Sequence, residues 1–75
     1  MEFYSVVKKE DKNHLVADIV EFECGQICIY WYVDESILVY PSIEEFWNDY
    51  IQNSNLEIFS EGVKEDYNTL IDENI

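Results

Sequence analysis

The sequence predicts an α+β domain: an antiparallel sheet of four to five strands, an amphipathic helix at about residues 43–52 packed on it, and a short C-terminal helix. Three observations carry this. Short runs of β-branched and aromatic residues recur along the chain and are punctuated by polar or glycine-containing turns. One stretch, after Pro41, switches to helical spacing. Two Trp, six Tyr and four Phe give a 75-residue chain enough large apolar side chains to close a core, which a disordered acidic segment would lack. A single domain spanning 1–75 is expected, near the lower size limit for an unaided core.

Residues 2–7, E-F-Y-S-V-V, read as the first strand, and the polar run from Lys8 to Asn13 as a loop between antiparallel strands. His14 to Glu23 reads as the second strand, with Leu15, Ala17 and Ile19 on one face and Val16, Val20 and Phe22 on the other. Neither face is cleanly polar, as expected of a strand covered on both sides. Cys24-Gly25-Gln26 is a tight turn in which glycine supplies a positive φ. Ile27 to Val33 follows as the third strand, its odd positions Ile27, Ile29, Trp31 and Val33 forming the core face and Cys28, Tyr30 and Tyr32 half exposed. Asp34-Glu35 turns the chain into a fourth strand, Ser36 to Tyr40.

The helix is the best-specified element. Ser42 and Glu45 form an S-x-x-E capping box. Pro41 sits just outside it, where its missing N–H does no harm. Ile43, Phe46, Trp47, Tyr50 and Ile51 then form one apolar stripe, with Glu44, Glu45, Asn48, Asp49 and Gln52 opposite. Leu56 to Ser60 alternates and reads as a short fifth strand. Val63, Tyr67, Leu70 and Ile71 return to helical spacing, with Glu65 and Asp66 suited to the positive end of that second helix.

Charge narrows the function classes. Seventeen acids against four lysines leave a net −13, with no arginine. Such a field repels nucleic acid and membrane surfaces and favours basic partners. Solubility alone is the plain alternative, but roughly one net charge per six residues exceeds what solubility needs. The aromatics would suit stacking on bases, yet four lysines cannot supply the positive groove that stacking platforms require, so direct nucleic-acid binding is rejected. No run is long enough to span a bilayer. Met1 leads straight into charged and alternating residues, so no signal peptide is expected and a cytoplasmic setting is. Cys24 and Cys28 are open to pairing, but two reduced thiols fit that compartment better.

The inventory for catalysis is poor. His14 is the single histidine, and neither it nor Cys24 or Cys28 sits in a spacing that marks a nucleophilic site. Gly25 and Gly62 are the only glycines, so no phosphate-cradling loop exists. The Cys24-x3-Cys28 pair falls short of a zinc set, and Asp34-Glu35 and Glu65-Asp66 lack the alternating ligands of a calcium loop. No enzyme activity, metal or cofactor is expected. Carboxylates on a rigid surface can instead stand in for phosphates and satisfy the donors of a DNA-binding groove. Strand residues two apart lie roughly 6.5–7 Å from each other on one face, which puts Glu21 and Glu23 at about phosphate spacing. Glu45 and Asp49, at i and i+4, project together from the helix.

Glu35-Ser36-Ile37-Leu38, followed by Pro41 and a glutamate-bearing helix, resembles the signature of phage uracil-DNA glycosylase inhibitors over about a dozen residues. The resemblance implies a DNA mimic acting in the cytoplasm of a phage-infected bacterium. Its Glu-Ser-Ile strand enters the enzyme's DNA groove, and an apolar pocket takes the leucine that the glycosylase pushes into DNA. By that resemblance Glu35, Ser36, Ile37 and Val39, with the helix acids Glu44, Glu45 and Asp49, would contact the enzyme. Ile43, Phe46 and Trp47 would form the pocket. The best-known member has a helix before this strand, whereas here three strands come first. Two alternatives share the composition: a DNA mimic aimed at a nuclease, restriction enzyme or CRISPR effector, and a small immunity or protein-interaction domain using its Tyr and Trp face.

Overall fold

A computed structural model of the chain describes residues 1–60; the second helix expected from Val63 onward lies outside them. Five strands form one antiparallel sheet: β1 (Glu2–Lys8), β2 (Asp11–Glu21), β3 (Ile27–Trp31), β4 (Ser36–Tyr40) and β5 (Leu56–Ser60). Their order across the sheet is β4-β3-β2-β1-β5. The first four strands follow one another as hairpins, so β4 ends up outermost among the described strands. The chain then crosses the sheet through a helix and adds β5 on the far side, against β1. All the strands are the expected ones.

The crossing helix begins as α1 (Ile43–Phe46) and widens into a π turn (Trp47–Ile51). Ser42 caps it: its Oγ accepts the Glu45 N–H at 3.2 Å. The Gln52 N–H reaches back five residues to the Trp47 carbonyl at 2.8 Å, which closes the wide turn. Ser54 ends the helix, its Oγ donating to the Ile51 carbonyl at 2.8 Å and accepting the Leu56 N–H at 3.1 Å as β5 starts.

The helix buries Ile43, Phe46 and Ile51 against one face of the sheet, on Val6, Ala17, Ile19, Ile27, Ile29 and Ile58. The register accounts for that face. Tyr4, Ile19, Ile29 and Leu38 lie in one row across four strands, and Val6, Ala17 and Trp31 in the next. Directly paired residues share a face, so period-2 alternation in each strand delivers one continuous apolar layer. The far face carries Phe3, Val20, Cys28 and Val39 in one row and Ser5, Asp18, Tyr30 and Ile37 in the other.

Three expectations are corrected. The six-residue loop from Lys8 is a turn of two residues, because β2 begins at Asp11 and lengthens the first hairpin. Leu15 does not share a face with Ala17 and Ile19. A bulge lets Val6 pair Ala17 while Val7 pairs Leu15, and the extra residue between them turns Leu15 to the far side. Val33 is not a core position. β3 ends at Trp31, and Val33 lies in the following turn, 88% exposed.

Candidate functional site

The candidate surface is the outer edge of β4 with the turn before it and the helix after it. The turn is built by Asp34. Its Oδ1 accepts the Ser36 N–H at 3.2 Å and the Ser36 hydroxyl at 2.7 Å. This is the local arrangement by which Asp side chains fix a turn. The Ser36 hydroxyl, then its N–H, favour the charged form and hold the Asp34 carboxyl below its ordinary value. The turn also puts Glu35 at φ 56°, in the left-handed region, which side-chain-bearing residues rarely occupy. Glu35 is exposed there, at the mouth of β4.

Along β4 the side chains alternate as expected of an outer strand. Ile37 and Val39 point to the far face and are 66% and 55% exposed. Leu38 and Tyr40 face the helix and are half buried. After Pro41, the helix brings Glu44, Glu45 and Asp49 to the surface, all exposed. Asp49 is held in place by Tyr40, whose hydroxyl donates to its Oδ2 at 2.7 Å. That bond, with smaller contributions from desolvation and the Asp49 charge, pushes the Tyr40 phenol up to about 12. Acids therefore stand at both ends of β4, with an apolar strand between them.

Ile43 and Phe46 do not line an open pocket. Both lie in the closed core, and the Phe46 ring is packed among Trp31, Tyr40 and Tyr50 at centroid distances of 5.9, 5.8 and 5.2 Å. Trp47 packs half buried against that core. The apolar surface that this edge offers a partner is Ile37 and Val39.

The strand expected to carry both Glu21 and Glu23 reaches only the first of them. β2 ends at Glu21, whose carboxylate accepts the Tyr4 hydroxyl at 2.9 Å, and Glu23 lies in the turn beyond. They share the rim of a cleft with Met1, Glu2, Phe22 and Gly25.

How the carboxylates are held is not visible in the spacing of the sequence. Tyr4 donates to Glu21, Tyr32 to Asp18 and Tyr40 to Asp49. Among the described residues one ion pair forms, Lys12 Nζ to Glu57 at 2.6 Å. Phenols thus orient acids that a more ordinary protein would pair with lysine or arginine, and orient them without cancelling their charge. The partners lie 9 to 17 residues apart; no local spacing announces them.

Cys24 and Cys28 are both free thiols. His14 is exposed on β2. Among the described residues no three metal-ligating side chains come together, and no helix is long and apolar enough to cross a membrane. Compared with protein-family models, curated proteins and solved structures, the chain matches none of them.

Proposed function

We propose that this protein is a stoichiometric inhibitor of uracil-DNA glycosylase that occupies the enzyme's DNA groove with the β4 edge. The observation that carries the reading is the position of Glu35-Ser36-Ile37. The segment lies at the exposed start of an outer strand, where a groove can receive it, and not in the middle of the sheet. Glu35 and Asp34 at one end, and Glu44, Glu45 and Asp49 at the other, stand in for phosphates. From Ser36 to Tyr40 an extended strand spans roughly 13 Å, about two phosphate steps. Phenol-held carboxylates support the reading further, because a mimic needs charge that is oriented yet uncompensated. Ile37 and Val39 supply the apolar contact in place of the buried Ile43 and Phe46. The setting is the cytoplasm of a phage-infected bacterium.

The same acidic edge would serve against another basic DNA-handling enzyme, and the charge distribution alone favours that reading equally. The two are separated by assay. Uracil excision by bacterial and human glycosylases should fall to background at equimolar protein, and undiminished excision removes the glycosylase as target. Inhibition that rests on charge alone should fade as salt shortens the screening length. Inhibition that also uses Ile37 and Val39 should persist.

A further inference from the structure

β4 is an outer strand, and among the described residues nothing pairs with its outer side. A strand so placed exposes alternate backbone N–H and C=O groups, which folded proteins ordinarily blunt with lysine, proline, a bulge or a covering element. Among the described residues β4 uses none of these between Ser36 and Tyr40. Its sequence is S-I-L-V-Y, and its pairing with β3 runs unbroken through five residues. Its centre is apolar and exposed at Ile37 and Val39. Its charge is gathered at the ends, in Asp34 and Glu35 before it and Glu44, Glu45 and Asp49 after it.

We propose that this edge accepts a sixth strand from its partner: an extended segment with apolar, β-branched residues at its centre and Lys or Arg at both ends. Backbone hydrogen bonds of the added strand would give the affinity, and the charged ends the selection. A second copy of the chain does not fit. Antiparallel self-pairing sets Asp34 and Glu35 of one copy near Glu44 and Glu45 of the other, and parallel in-register pairing sets each acidic end on itself. Both juxtapose like charges on molecules that each carry −13. A segment with cationic ends meets attraction at both. The inference concerns how the edge is recognised and holds for any enzyme that presents such a segment.

The test uses the full chain and a blocked peptide, Lys-Lys-Val-Thr-Val-Thr-Lys-Lys, with no glycosylase present. Titration into nitrogen-15-labelled protein should give saturable shifts on β4 and β3 and slowed amide exchange between Ser36 and Tyr40. A second peptide, N-methylated at all four of its Val and Thr residues, keeps every charge and removes the central donors from both edges. It should bind at least about tenfold more weakly. Ile37→Lys, at an exposed position, should weaken the parent peptide similarly while the thermal midpoint stays within a few degrees. Equal binding of both peptides would show charge attraction without strand addition and overturn the proposal. So would protection centred on β5, or no saturable binding at about 1 mM. Because no enzyme is present, failure here and failure of glycosylase inhibition are read independently.

Discussion

Phe46→Ala decides whether the helix ring belongs to a core or to a pocket. The side chain is fully buried, with Trp31, Tyr40 and Tyr50 around it and Ile27, Ile29 and Ile51 in the same cluster. Removing a buried phenyl ring costs about 3–5 kcal/mol, because the lost transfer energy adds to that of the cavity left behind. A domain of this length holds on the order of 4–11 kcal/mol in total. At about 4–8 °C per kcal/mol, the melting temperature should fall by at least about 12 °C. Urea denaturation followed by circular dichroism and tryptophan fluorescence reads the change directly. Ile37→Ala and Val39→Ala, on the exposed side of β4, are the controls and should stay within about 0.5 kcal/mol of the parent. A ring lining an open pocket would behave in the opposite way, with little effect on stability and a large one on binding. A Phe46→Ala loss below about 1 kcal/mol would refute the packing described here.

Three further outcomes follow from the edge and its supports. Tyr40 is raised to about 12 by its bond to Asp49. Its contribution to stability is therefore complete below the ordinary phenol value near 10 and is lost as pH rises through about 12. Ultraviolet titration should show a late phenol that disappears in Tyr40→Phe. Ser36→Ala removes the hydroxyl that donates to Asp34. The Asp34 carboxyl, followed by carbon-detected NMR, should then titrate at higher pH than in the parent, since the main cause of its lowering is gone. Ser42→Ala removes the cap on the Glu45 N–H and should lower stability by about 1 kcal/mol without changing the fold.

Much of the fold was legible because it is written locally. Alternation in E-F-Y-S-V-V, I-C-I-Y-W and S-I-L-V-Y needs only a period of two, and Pro41-Ser42 marks the helix start without reference to any distant residue. Gly25 adopts φ 95° in the turn where glycine was expected. What was not legible depends on pairing between distant parts of the chain. The Val6–Ala17 bulge that turns Leu15 outward is a mismatch between two strands, and neither strand carries it alone. The end of β3 at Trp31, which leaves Val33 in solvent, is set by where β4 begins its pairing. The helix stripe was correctly read as apolar, but periodicity does not distinguish a covered stripe from a pocket wall.

The candidate site divides along the same line. Glu35, Ser36 and Ile37 could be named from sequence, while their exposure follows from the strand order, which leaves β4 outermost. Strand spacing does not extend to Glu23, because β2 ends at Glu21. The tyrosine–carboxylate bonds link residues on different elements and had no local signal. They give part of the high charge a structural setting: Asp18, Glu21 and Asp49 are oriented by phenols.

Under the proposed function, the Glu35-Ser36-Ile37 end of β4 is the surface that engages uracil-DNA glycosylase. The most direct measurement is uracil excision titrated with the parent protein, Glu35→Ala and Ile37→Lys, each first shown by circular dichroism to be folded. The parent should inhibit at one equivalent, Glu35→Ala should weaken inhibition by about tenfold or more, as expected for a lost charge-assisted contact, and Ile37→Lys should weaken it further. Full inhibition by both variants, or none by the parent, would contradict the proposed function.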